Sequence, residues 1–303
     1  MSVFGVSSYF LWTHKGQTVL PLVRGSGFLM SFQQLNTFYR YHVVSAAHVT
    51  CPVKHRKLYG GTIGLKAIGE RHISTRLLIP DKASHKVQSS FDLEFRQEYM
   101  PNTDVASLRV SKEDEFRKAM LAPQDSGTGT TSPLQVIQPD LDPIEEGDEL
   151  ILCGVCTEEE RANPNDDGLM LTPMRLMATC KAALLSLDYG TVLLASIDGL
   201  AEEEAGERES GTAASASKLV TVPPLPLSMC GGPVLRRSSG RCVGVIAARV
   251  MKNAPPRDPN SASLYQDPYL DISEHISLHA HWPLDVAFVP IGEFYDPLRR
   301  CEM

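Results

Sequence analysis

Three side chains that lie far apart along the chain have the chemistry of a nucleophilic catalytic triad. His48 ends a run of small residues, Asp104 directly precedes an alternating apolar pattern, and Cys230 stands before two glycines and a proline. A cysteine thiolate attacks carbonyl carbons when a histidine accepts its proton and an acidic side chain orients that histidine. We therefore interpret Cys230 as a candidate nucleophile, His48 as its base and Asp104 as the orienting acid.

The elements that must position these residues are predicted to be short strands. Apolar runs rich in β-branched and aromatic residues recur along the chain, separated by turn-forming residues. Helical periodicity is confined to 111–120 and to the C-terminus, and this combination is typical of barrels or a sandwich. The predicted strands are 3–12, 18–22, 27–32, 38–45, 105–110, 134–137, 149–155, 175–187, 191–197, 219–222, 233–235, 241–249 and 285–290.

Turn-rich segments divide the chain into two lobes. Residues 113–133 combine a charged helical stretch with a run of Gly, Ser and Thr that ends at Pro133, which is typical of a linker. We predict an N-terminal β-barrel lobe over 1–112 and a C-terminal β-barrel lobe over 134–303. Clustered glutamates followed by small residues predict a mobile acidic loop at 198–218. We interpret this loop as a solvated insertion, with a partner-binding role as the alternative.

Several segments resemble the motifs of trypsin-like peptidases, and they come in the same order. Gly25-Ser-Gly-Phe28 is similar to the strand that precedes the histidine of that family, and Ser45-Ala-Ala-His48 resembles its Ala-Ala-His motif. Asp104-Val-Ala-Ser-Leu108 resembles its acid strand, and Cys230-Gly-Gly-Pro-Val234 resembles its nucleophile turn. Further strands of the HtrA-type branch are matched by 146–154, 240–246 and 286–290.

The resemblance implies a fold and an activity. The fold is an all-β, chymotrypsin-like double antiparallel β-barrel with a short C-terminal helix. The activity is cleavage of peptide or protein substrates by a triad of Cys230, His48 and Asp104, in the chain order of the chymotrypsin class. Backbone N–H groups of Ser228 and Cys230 would form the oxyanion hole.

The resemblance also locates a specificity pocket. Side chains near Pro224, Ala247 and Ala248 would line it. They include no acidic group, so cleavage after arginine or lysine is not expected.

Two departures from the family pattern bear on activity. Cys230 replaces the usual serine, which is chemically workable because a thiol is the better nucleophile. Ser228 replaces a glycine whose N–H helps to form the oxyanion hole in a conformation that suits a residue without Cβ. Each lost donor costs about 10² to 10³ in rate. The alternative function is therefore a catalytically inactive, protease-derived scaffold subunit that binds protein or RNA in a larger assembly.

The charge distribution bears on partners. The net charge of −7 argues against a general nucleic-acid coat, yet seven lysines and arginines precede the first acidic residue, Glu70. We interpret the N-terminal fifth as a solvated basic face, with an acidic partner, RNA included, as the alternative. No apolar run reaches the roughly 18 residues of a membrane span.

The cysteines and histidines give little sign of a metal or cofactor. An odd set of seven cysteines without a secretory signal indicates thiols in a reducing compartment, the cytoplasm or the mitochondrial matrix. Cys153 and Cys156 form a single CxxC in a predicted core strand, without a second pair at zinc-ligand spacing. His275, His279 and His281 are interpreted as surface residues, so we expect no metal and no cofactor.

Overall fold

The computed structural model describes most of the chain, with gaps in several connecting segments. Predictions for 124–133, for most of 198–218, for 219–222 and for His279 and His281 lie outside the described residues. The described residues are 3–12, 18–32, 40–55, 69–81, 83–99, 103–121, 136–157, 166, 168–187, 189–200, 224–253, 269–275 and 283–300.

The N-terminal half forms a closed antiparallel barrel of six strands. They close in the order β1-β2-β3-β6-β5-β4. Alternation along the strands directs apolar side chains inward, and Phe4, Val6, Phe28 and Leu77 are fully or almost fully buried in the core. The strands are β1 (Val3–Trp12), β2 (Thr18–Phe32), β3 (Arg40–Ala46), β4 (Ile73–Pro80), β5 (Val87–Tyr99) and β6 (Val105–Val110).

The C-terminal half forms a second barrel. It runs β10-β7-β8-β9-β13-β11 and closes through the pairing of β10 with β11, while β12 adds to β11 as a parallel strand. Its strands are β7 (Glu149–Cys156), β8 (Thr172–Ser186), β9 (Gly190–Leu200), β10 (Pro233–Arg236), β11 (Cys242–Met251), β12 (Tyr269–Asp271) and β13 (Val286–Pro290).

The two barrels share one strand order. If β12 is set aside, the second barrel repeats the order of the first, with β10, β11 and β13 in the places of β4, β5 and β6. Closure removes the exposed sheet edges that favour aggregation. This repeated topology is that of the predicted chymotrypsin-like double barrel, so the fold prediction is confirmed.

Helices are few and short in the described residues. They are α1 (Ala47–Thr50), α2 (Glu113–Leu121) and α3 (Tyr295–Arg300). The helix predicted at 111–120 is confirmed as α2, and the short C-terminal helix as α3. No helix in the described ranges is both long and apolar enough to cross a membrane.

Three strand predictions differ from the structure. The runs 18–22 and 27–32 belong to one strand, because β1 pairs with β2 continuously across the intervening residues apart from one bulge. The strand predicted at 134–137 forms no regular ladder in its described part, since Ile137 makes only an isolated bridge to Met30. The first three residues of the loop predicted at 198–218 belong instead to β9, because pairing with β8 extends β9 to Leu200.

Candidate active site

His48 and Asp104 are brought together by the pairing of β3 with β6. The register sets Ala46, the last residue of β3, opposite Val105, the first residue of β6, so the chain after β3 and the chain before β6 lie at the same barrel rim. The backbone N–H of Ala47 donates to the Asp104 carbonyl oxygen at 3.1 Å. Two residues predicted to work together are therefore neighbours in space.

The Asp104 carboxylate binds His48 through both of its oxygens. Oδ2 lies 2.5 Å from His48 Nδ1, and Oδ1 accepts the backbone N–H of His48 at 2.8 Å. Both residues are fully buried. A buried carboxylate bonded to Nδ1 fixes the direction of the ring, which is the arrangement in which Nε2 of a histidine can act as a base.

His55 is a second histidine beside the same carboxylate, and the sequence offers no signal for it. A 3-10 turn over Pro52–Lys54 folds the chain back, and His55 Nε2 comes within 3.9 Å of Asp104 Oδ1. Its ring meets that of His48 edge-on, with centroids 6.4 Å apart. When protonated, His55 would add positive charge next to the carboxylate that orients His48.

Cys230 lies at the turn that enters β10, packed against the first barrel. Its carbonyl oxygen accepts the N–H of Ser26 at 2.8 Å. Gly231 has φ +88, and a Cβ at this position would stand 2.3 Å from the Ser26 carbonyl oxygen and 2.7 Å from the Ala46 nitrogen. Only glycine fits so close to the segment that leads into His48. The nucleophile turn and the end of β3 are thus in direct contact.

The predicted oxyanion hole is closed in this conformation. Leu227–Met229 form a 3-10 turn, and the Cys230 N–H donates to the Leu227 carbonyl oxygen at 3.0 Å. A donor bonded inside its own turn does not face a substrate oxygen. One of the two predicted donors is therefore occupied.

Ser228 is held in this turn by contacts to both barrels. Its carbonyl oxygen accepts the Ser26 hydroxyl at 2.7 Å, and its own hydroxyl accepts the N–H of Thr157 at 3.3 Å. Positive φ values among the described non-glycine residues occur at His85 and Asn253, so Ser228 has an ordinary backbone conformation. The closed turn is one that a residue with Cβ accepts without strain.

The predicted pocket residues lie in two different environments. Ala247 and Ala248 are fully buried on β11, whereas Pro224 is exposed. Arg249, the next residue of β11, extends its guanidinium to the segment after Pro224: Nε donates to the Leu225 carbonyl oxygen at 3.0 Å, and Nη2 donates to the same oxygen. Nothing in the sequence singles out Arg249, because only the tertiary structure brings Leu225 beside it.

Access to the three candidate catalytic residues is restricted. His48, Asp104 and Cys230 are each 0% exposed. A peptide carbonyl must contact the Cys230 sulfur before it can react. In the described conformation a substrate cannot reach this sulfur, so we call it the resting conformation.

The other cysteines are thiols in the described part of the chain, and Cys301 lies outside it. Burial raises the pKa of Cys51 to about 11, that of Cys180 to about 11 and that of Cys242 to about 12. These core thiols are poor nucleophiles at neutral pH, because the thiolate is the reactive form.

Cys153 and Cys156 lie on β7, and within the described ranges no three His, Cys, Asp or Glu residues form a group that could hold a metal ion.

Comparisons with known proteins find similarity to solved structures. No protein-family model and no curated protein matches the chain. Among solved structures, the chain is similar to the crystal structure of Rv3671c protease in an inactive form, with 12% identity, a TM-score of 0.42 and coverage of 99% of this chain and 89% of that one. The strand order described above, rather than this likeness, defines the fold.

Proposed function

We propose that this protein is a peptidase that uses Cys230 as nucleophile, His48 as general base and Asp104 as the residue that positions His48. The observation that carries the proposal is the buried His48–Asp104 pair, in which the carboxylate binds both the ring and the backbone of one histidine. The close packing of Gly231 on Ala46 supports the proposal that the Cys230 thiol lies near this pair.

The proposed reaction follows from the position of each group. His48 Nε2 accepts the proton of the Cys230 thiol, and the thiolate attacks the carbonyl carbon of the scissile peptide bond. The carbonyl π electrons move to oxygen, which backbone N–H groups would stabilise. His48 then gives the proton to the leaving amine, and the C–N bond breaks to form a thioester. Water, deprotonated by His48, hydrolyses the thioester and releases the thiol and the acid product.

The resting enzyme needs a local rearrangement before this reaction can run. Rotation of the peptide unit between Leu227 and Ser228 would turn the Leu227 carbonyl oxygen away from the Cys230 N–H and direct the Ser228 N–H into the hole. The bond from the Ser26 hydroxyl to the Ser228 carbonyl oxygen involves the following peptide unit, so it can survive the rotation. We propose a latent peptidase in which substrate or a partner drives this step.

A non-catalytic scaffold subunit is the second candidate, and it is favoured by one observation. The bond from the Cys230 N–H to the Leu227 carbonyl oxygen closes the site. If no ligand opens the turn, the fold serves only to bind protein or RNA. The two candidates differ in whether the Cys230 thiol ever reacts as an enzyme nucleophile.

Covalent labelling separates the two functions. The protein is incubated with peptides that carry a thiol-directed electrophile, and the modified residue is identified by mass spectrometry. The peptidase is expected to be labelled once, at Cys230. The label should disappear in Cys230→Ala, fall at least about 10²-fold in rate in His48→Ala, and persist in Cys242→Ala, which removes another fully buried thiol. Labelling that is independent of His48 would support the scaffold.

A further inference from the structure

We infer that Arg249 makes the pocket beside Cys230 selective for an acidic side chain, so that the preferred substrate carries Asp or Glu immediately before the scissile bond. The inference rests on the proposed peptidase function for its catalytic consequence. The binding of an acidic peptide can also be measured without catalysis.

Arg249 connects the two chain segments predicted to form the pocket. It follows Ala247 and Ala248 on β11, and its guanidinium reaches the carbonyl oxygen of Leu225. Leu225 lies between Pro224 and the 3-10 turn that carries the peptide units before Cys230. The alanines are small, so the long side chain of Arg249 is the chemical group that distinguishes this wall.

The charge of Arg249 is not matched by a carboxylate in the described residues. Its two hydrogen bonds go to a single carbonyl oxygen, although the residue is half-buried. Arg236 shows the usual arrangement, since its guanidinium binds the carboxylates of Asp140 and Asp148. A guanidinium has five N–H donors in a planar fork that suits a carboxylate. As far as the described residues go, Arg249 therefore retains donors and charge for an anionic ligand.

Ala247 and Ala248 are fully buried in the resting conformation, so the edge of β11 next to Arg249 would accept the backbone of such a ligand only after the proposed opening of the Cys230 turn. On this edge β10 pairs with β11 as far as Val245, Ile246 bonds to the Gly231–Gly232 turn, and β12 pairs from Arg249 onward. β13 lies on the opposite edge, because Arg249 pairs with both Tyr269 and Val286. Among the described strands, none therefore pairs with Ala247 or Ala248 on the β10 edge.

Once the turn opens, a short extended segment can add to this edge by strand pairing. The backbone of this segment would lie between the Cys230 turn and Arg249. The side chain of the residue before the reacting carbonyl would then point to the pocket wall that carries Arg249. A carboxylate there would form charge-assisted hydrogen bonds with Arg249. A lysine or arginine at the same position would meet a like charge, and glutamine would keep the shape of glutamate without its charge.

The test uses peptides that differ only in the residue before the electrophile: Glu, Gln or Lys. The rate constant for labelling of Cys230 is measured for the wild type, Arg249→Gln, Arg249→Lys and Arg237→Gln. Arg237 is a matched control because it is exposed and pairs with Glu149 on the far side of β10. In parallel, the Cys230→Ala protein, with and without Arg249→Gln, is titrated with fluorescent peptides that end in Glu or Gln.

The expected result is a preference for Glu over Gln of about 10- to 100-fold in labelling and in binding, the range for a hydrogen bond to a charged group. Arg249→Gln should abolish the preference, Arg249→Lys should retain part of it, and Arg237→Gln should leave it unchanged. Equal binding of Glu and Gln peptides, or a preference that survives Arg249→Gln, overturns the inference.

The outcomes also separate this inference from the proposed function. A Glu preference in binding, without labelling of Cys230, would refute the peptidase and retain an acidic-peptide site. Labelling that depends on His48 but ignores the charge of the peptide would support the peptidase and refute the role of Arg249. Urea unfolding of each Arg249 variant identifies any loss of folding, and Arg249→Lys keeps the test valid if Arg249→Gln does not fold.

Discussion

Replacing Ser228 with glycine should activate the resting protein. The closed turn keeps Ser228 at an ordinary φ and bonds the Cys230 N–H to the Leu227 carbonyl oxygen. In the proposed active state, rotation of the peptide unit before residue 228 would place that residue in a backbone conformation that suits glycine. Removing Cβ therefore stabilises the open turn relative to the closed one.

The size of the effect follows from the cost of a side chain in the left-handed region. That cost is about 1 to 2 kcal/mol for a residue with Cβ, which corresponds to a change of about 5- to 30-fold in a conformational equilibrium. If the open turn is a minor state, the rate of any reaction that requires it should rise by the same factor. Loss of the bond from the Thr157 N–H to the Ser228 hydroxyl, at 3.3 Å, would loosen the closed turn further.

The assay is the rate constant for labelling of Cys230 by a peptidyl electrophile, compared among wild type, Ser228→Gly and Ser228→Ala. The alanine variant also loses the hydroxyl but keeps Cβ, so the ratio of the two variants isolates the effect of backbone conformation. Ser228→Gly should react about 5 to 30 times faster than Ser228→Ala. Equal rates for the two variants would show that the closed turn does not limit access to the hole.

Three further predictions concern the site and the core. Asp104→Asn should reduce the labelling rate of Cys230 by at least about 10²-fold, because the histidine loses its orienting charge; unchanged labelling would exclude the triad. Gly231→Ala should lower the urea midpoint far more than Gly240→Ala, since both have positive φ but only Gly231 faces backbone atoms within 3 Å; similar midpoints would contradict the described packing.

The third of these concerns Cys242, whose pKa burial raises from 9.0 to about 12. The stability that this thiol contributes is fully present below the pKa that the thiol has in the unfolded chain. It is lost as the pH rises toward the pKa that the thiol has in the folded protein. By about pH 10.5 the loss should reach about 2 kcal/mol. The free energy of unfolding, measured with urea, should therefore fall less for Cys242→Ala than for the wild type between about pH 8 and pH 10.5. An equal fall in the two proteins would contradict this explanation.

The sequence by itself determines the double barrel to a large extent. Strand alternation and turn residues are local properties, so β1, β7, β11 and β13 can be predicted within a few residues. The His48 and Asp104 motifs end or begin such strands, and their proximity follows once β3 pairs with β6. The long pairing of β1 with β2 merges two predicted strands, because ladder bonds compensate for the weak strand preference of Gly25 between them.

The state of the site is decided only by the tertiary structure. The N–H of Cys230 points to Leu227 because of the torsion angles of one turn, and no residue pattern specifies those angles beyond the presence of Ser228. His55 contacts Asp104, and Arg249 contacts Leu225, although the two residues of each pair are distant in sequence. β12 pairs in parallel with β11 through a long connection, and such contacts depend on the whole fold because loop closure, rather than local preference, sets their cost.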